Sequence, residues 1–114
     1  MEETNSEFYI VGGDWNIALS QQWDTHGYQT ENNKNSRNFV INKMEENEYV
    51  DIWREQHPKI KRYSWRKTGH AQRARLDFFL ISRSLFPFIT KTDILPGIDS
   101  DHSIILMDID FRNL

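Results

Sequence analysis

An α+β layered fold, with a mainly antiparallel or mixed sheet and one or two helices, is what this sequence predicts. Three observations point there. Short apolar, β-rich runs recur along the chain, punctuated by Gly, Pro and polar stretches. Only one or two helical stretches lie among them. With 114 residues the chain supports one domain at most, and 13% aromatic side chains are enough to nucleate a core.

Phe-Tyr-Ile-Val-Gly at 8–12 is an apolar run closed by glycines and reads as a buried strand. Residues 18–36 are almost entirely polar and read as a long surface loop, a feature uncommon in compact domains unless functional. Asn35 or Ser36 caps a helix to about Asn47, with Phe39, Val40, Lys43 and Met44 giving a partly apolar face. Asp51 caps a further turn over Ile52 and Trp53 that stops before Pro58. Tyr63–Trp65 is a short strand. Arg75–Ser82 is the strongest one, apolar on both faces apart from Asp77 and therefore covered on both sides. Ser84–Phe88 reads as one helical turn cut short by Pro87. Ile89–Leu95 and Ser103–Asp110 are the last strands, with Pro96 and Gly97 opening the loop between them.

Composition excludes several classes of function. No cysteine is present, which removes disulfide scaffolds, thiolate zinc sites and thiol nucleophiles. The runs Phe78–Ile81 and Ile104–Met107 are far too short to span a bilayer. The first residues are acidic and polar, unlike a signal peptide. The chain thus reads as a soluble, intracellular globular piece without a membrane partner. Its net charge of −3 conceals an asymmetry: Arg54 to Arg75 holds eight basic residues and one acidic, a local balance of +7. Interleaved with Tyr63 and Trp65, that stretch is either a phosphate-backbone footprint or a solvated loop.

Three polar clusters interrupt the apolar strands. In Gly12-Gly13-Asp14-Trp15-Asn16, alternation puts Asp14 and Asn16 on one side of an extended backbone, unless they only close an Asx turn. Asp77 lies between Leu76 and Phe78, where a buried carboxylate needs a partner. Either an arginine such as Arg75 neutralises it, or it orients a histidine. In Ser100-Asp101-His102-Ser103 a histidine and a carboxylate stand side by side at a strand entrance, as a general base and a metal ligand can. His26, His57 and His70 sit in polar, loop-like surroundings and receive no role.

The order of these motifs resembles the endonuclease/exonuclease/phosphatase superfamily, which includes apurinic endonucleases, DNase I and the endonuclease domains of non-LTR retrotransposons. Gly-Asp-Trp-Asn, Tyr-Ser-Trp, Arg-Leu-Asp-Phe-Phe-Leu-Ile-Ser and Ser-Asp-His-Ser follow one another from about Tyr9 to Ile109. Asp51-Ile52-Trp53-Arg54 and His57-Pro58 are most similar to the retrotransposon type.

The resemblance implies hydrolysis of DNA phosphodiesters with Mg²⁺ or Mn²⁺. It implies that Asp14 positions or deprotonates water, Asn16 helps hold the phosphate, His102 contacts phosphate or acts as base, and Asp77 orients His102. It places Asp101 close to the metal. It makes Lys61, Arg62, Trp65, Arg66, Lys67 and Arg75 a nucleic-acid-binding rim. Because the family fold is a four-layered α/β sandwich of two halves, residues 1–114 are expected to be a single partial domain, the C-terminal half. The principal metal-binding glutamate is expected to lie outside the chain. Such a half would be inactive alone and would show an apolar face at Leu76–Ile81 and Ile104–Ile109, to be covered by a complementary N-terminal half or a second copy. Retrotransposon type would place it in the nucleus. A different class, a catalytically silent half that only binds nucleic acid or a partner, is the competing expectation.

Overall fold

The computed structural model describes residues 8–30, 33–97 and 100–112. It is a mixed α+β structure in which every described strand pairing is antiparallel. The central sheet has the order β1 (Ile10–Asp14), β6 (Asp77–Ser82), β3 (Tyr49–Asp51). A small second sheet joins β2 (Thr25–His26), β5 (Arg73–Ala74) and β4 (Trp65–Arg66), and β7 (Ile89–Leu95) forms a hairpin with β8 (Ile104–Ile109). The register that matters most pairs Asp14 with Asp77 at the end of β1.

Strand β6 is buried along its length except at Phe79, as its two apolar faces require. On one side Ile81 packs with Val50, Ile52, Leu85 and Ile89. On the other, Phe78 and Leu80 pack with Ile17, against which Val40 and Met44 of α2 (Lys34–Asn47) are seated. Each such fully buried aliphatic or aromatic side chain contributes about 1.5–3 kcal/mol. The apolar face expected at Leu76–Ile81 is therefore not exposed. Of the second expected stretch, Ile104 is exposed, and Phe8, Tyr9, Ile10 and Val11, on and before β1, are further exposed apolar side chains at 39–44% accessibility.

Several local expectations shift. Strand β1 runs to Asp14, so Gly12 and Gly13 lie inside it rather than ending it. A Cβ at Gly12 would stand 2.4 Å from the Phe79 ring, and glycine is what lets the strands approach there. Phe39 does not join the packed face of α2 and is 61% exposed. Asp51 caps α3 (Ile52–Gln56), its side chain accepting from the Arg54 N–H at 3.4 Å. His57 is not in a polar loop: its ring tilts against Trp53 with centroids 4.7 Å apart.

The largest correction concerns residues 18–36. Ile17 and Ala18 are buried, and Ser20 caps the short helix α1 (Gln21–Asp24) by accepting from the Trp23 N–H. Asp24, 1% exposed, is then carried into the core. There it meets Arg75, also 1% exposed, whose Nε donates to Asp24 Oδ1 at 2.9 Å while its Nη2 donates to Asp51 Oδ2. Arg54 adds a second cation, at 2.5 Å from Asp24. Burial opposes the Arg75 charge, but Asp51 and Asp24 outweigh it and raise its pKa. Arg75 therefore turns inward, and the nucleic-acid contact expected of it gives way to this buried ion pair.

Candidate active site

Residues 75 and 76 carry the chain from the second sheet into the central one, and Asp77 opens β6 at the end where β1 delivers Asp14. The segment 100–103 arrives from the other side, with His102 in an isolated antiparallel bridge to Trp65. His102 Nδ1 lies 2.7 Å from Asp77 Oδ2, and His102 Nε2 lies 3.7 Å from Asp14 Oδ2. Of the two partners open at the sequence level, Asp77 thus takes the histidine. The exposures grade the site: the Asp77 side chain is 12% accessible, that of His102 32%, that of Asp14 50%. The inner carboxylate holds the ring, and the outer one faces solvent across it.

Asp77 as acceptor selects the tautomer with the proton on Nδ1 and leaves Nε2 directed at the open side. Partial burial disfavours the imidazolium, but the hydrogen bond and charge of Asp77, with the charges of Asp14 and Asp101, overcome it and raise the pKa of His102. Asp14 closes the Asx turn and also faces the histidine. Its Oδ1 accepts from the Asn16 N–H at 2.9 Å, closing an Asx turn, while Oδ2 faces the imidazole. Asn16 sits at φ 55°, a left-handed conformation that asparagine tolerates, so it does not continue the strand alternation. It lines a cavity of about 370 Å³ with Tyr28, Trp65, Gln72, Leu76 and His102.

Asp101 is tied down: its carboxylate accepts from the Trp65 indole N–H at 3.2 Å, and its carbonyl from the Arg66 N–H at 3.1 Å. Among the described residues, Asp14, Asp77 and His102 are the group whose ligand atoms all lie within 4.8 Å of one another. That donor set does not fit a resident Mg²⁺. The ion prefers an octahedron of oxygens, whereas here one ligand is an imidazole, one carboxylate is engaged with that imidazole, and Asp101 is not in the group.

The expected rim divides. Arg66 and Lys67, on and just after β4, line a second cavity of about 360 Å³ beside His102, together with His70, Arg73 and Ser100. Lys61 instead lies over the Trp23 ring at 5.5 Å. Arg62 donates to the Ile94 carbonyl and pairs with Asp93 at 3.7 Å, on β7. A larger hollow, about 540 Å³, lies by Tyr9, Tyr49 and Arg83 at the far end of β1 and contains none of the acid–imidazole cluster.

Gly97 has a positional role that the loop reading did not supply. A Cβ there would fall 2.1 Å from the carbonyl oxygen of His102. Backbone cannot swing aside as a side chain can, so Gly97→Ala should push His102 off Asp77 and cost about 1–3 kcal/mol. Thermal denaturation checks the cost; an unchanged Tm would mean the loop yields freely.

Sequence reasoning missed Asp24 and Ser64. Trp23-Asp24 inside an otherwise polar stretch was the one available signal for the first. The second, fully buried, was marked by its place in the Tyr63-Ser64-Trp65 motif, but nothing there gave it a role.

No family model matches the chain. Solved structures do. The AP endonuclease of Leishmania major superposes with a TM-score of 0.70 at 24% identity, over 86% of this chain and 34% of that one. A 3′-5′ exonuclease of Neisseria meningitidis gives 0.76 at 19% identity, over 90% and 45%. A Neisseria 3′ phosphatase bound to a product DNA hairpin gives 0.72 at 17% identity, over 90% and 45%. The chain spans between about a third and a little under half of the length of these proteins. No helix among the described residues is long and apolar enough to cross a membrane. The fold of this chain is thus the DNase I-like fold, shared with part of each of these structures.

Proposed function

We propose that the chain is the C-terminal half of a metal-dependent DNA endonuclease of retrotransposon type, acting in the nucleus and silent until the other half is supplied. The observation that carries this reading is the 2.7 Å contact between His102 Nδ1 and Asp77 Oδ2, with Asp14 on the opposite nitrogen. An inner acid that orients an imidazole, and an outer acid open to solvent, is the arrangement a general base needs. A water about 2.8 Å from both Nε2 and Asp14 Oδ2 fits across their separation. In-line attack by that water would form a new P–O bond as the ester P–O bond breaks, its proton passing to Asp14 or Nε2. Asn16 would hold a phosphate oxygen.

Asp14 and Asp101 make a poor Mg²⁺ or Mn²⁺ site by themselves, so the cation is proposed to take its main ligands from a complementary N-terminal half. Phe8, Tyr9, Ile10 and Val11 are an apolar edge that such a half, or a second copy, would cover. DNA as substrate is supported by Arg66 and Lys67 beside His102 and by the DNA-bound structural neighbour.

Plasmid nicking with Mg²⁺ and EDTA controls tests the reading. The chain alone should be nearly inactive, and addition of an N-terminal half from a related enzyme should restore cleavage. Robust EDTA-sensitive cleavage by the 114-residue chain alone would overturn the half-enzyme reading. DNA binding without cleavage, even when completed, would favour the silent binding half. Within the rim, Arg66→Ala with Lys67→Ala should flatten the salt dependence of DNA binding by a slope of about 2, as two released counterions require. Lys61→Ala with Arg62→Ala should change it less, because neither lines the cavities beside His102. Equal effects would place the whole stretch on the DNA.

A further inference from the structure

We infer that Ser64 is a positioning residue for the His102–Asp77 pair. It lies in the short Tyr63-Ser64-Trp65 motif and is wholly buried, 0% exposed. Its Oγ accepts two backbone N–H bonds, from Leu76 and from Asp77, both at 2.9 Å. Its own carbonyl accepts from the Ser103 N–H at 2.6 Å, and its N–H donates to the Ala74 carbonyl at 3.1 Å. One residue therefore holds the backbone of Asp77 and the residue next to His102.

The topology explains why a hydroxyl is needed there. Strand β5 ends at Ala74 in the second sheet, and β6 begins at Asp77 in the central one. At that crossover the N–H groups of Leu76 and Asp77 point away from a strand partner, in a buried place where an unpaired donor is costly. Ser64 Oγ takes both. The carbonyl of Leu76 accepts from the Trp15 N–H at 2.9 Å, which ties the Asp14 turn to the same node. All three polar clusters of the sequence are thus joined through Ser64 and the backbone of Leu76. Moving Asp77 by a fraction of an ångström alters a 2.7 Å contact steeply, so the hydroxyl sets the geometry of a pair whose side chains it does not touch.

The functional meaning of this assignment rests on the proposed role of His102 and Asp77, but its test reads geometry, not cleavage. NMR of the ¹⁵N-histidine-labelled chain reports the His102 Nδ1 proton directly. In the unaltered protein it should be protected and shifted downfield by Asp77. In Ser64→Ala its solvent exchange should speed by on the order of tenfold, while Ser64→Thr, which keeps the hydroxyl, should restore protection. Leu85→Val, a loss of core packing beyond the far end of β6 from Asp77, should leave the signal unchanged at a comparable Tm. If Ser64→Ala does not fold, Ser64→Cys, a weaker acceptor, is compared with Ser64→Thr in its place. A His102 signal in folded Ser64→Ala (or Ser64→Cys) like that of the unaltered protein, or one lost equally in Leu85→Val, would overturn the proposal. Failure of the cleavage assay would not.

Discussion

Cleavage by the completed enzyme should fall by about 10²–10⁴-fold on His102→Ala, the range over which a positioned general base contributes. The expectation follows from the site's asymmetry. Asp77 is inside and holds Nδ1, so the whole basicity of the ring is presented through Nε2 to the side where Asp14 waits at 3.7 Å. Asp77→Asn should cost a similar factor, because an amide keeps the shape but not the charge that supports the imidazolium. Asp14→Ala should also be severe. These variants should retain DNA affinity, since the basic side chains beside them are untouched. The assay is nicking by the chain combined with an N-terminal half, with DNA binding measured in parallel. Cleavage surviving His102→Ala, or falling only as far as affinity falls, would remove the histidine from the chemistry.

Arg75→Met should be the most destabilising substitution in the chain, by about 3–5 kcal/mol. Met matches the volume of the arginine stem but leaves Asp51 without its guanidinium and Asp24 with only Arg54. Against a total stability of about 5–15 kcal/mol, that is unfolding or a fall in Tm of roughly 15 °C. The damage comes from uncompensated buried carboxylates rather than from lost attraction, so adding Asp24→Asn and Asp51→Asn to Arg75→Met should recover part of it. Denaturation of the single and triple variants checks both statements. A cost below about 1 kcal/mol together with weakened DNA binding would return Arg75 to the nucleic-acid rim.

Each of the three clusters was legible in the sequence because polar residues there interrupt apolar strands, and burial makes such interruptions expensive. The strongest strand was legible for the same reason, through its double apolar pattern. What the residues alone left open was pairing. Arg75 and His102 were both open as partners for Asp77, and periodicity offered no way to choose between an arginine separated from it by one residue along the strand and a histidine 25 positions away.

The sequence by itself determined the α+β class, the long strands β6, β7 and β8, the cap at Asp51 and the identity of Asp14, Asp77 and His102 as residues in need of partners. Those follow from local rules of period, capping and desolvation. Only the tertiary structure decided that Asp24 leaves its polar stretch to claim Arg75, that Gly97 makes room for His102, and that Ser64 receives the N–H groups of Leu76 and Asp77. The first and the last of those depend on where the chain crosses from the second sheet into the central one, at residues 75 and 76. Crossings bring together groups with large sequence separation, and no local pattern encodes which unpaired donor will meet which acceptor.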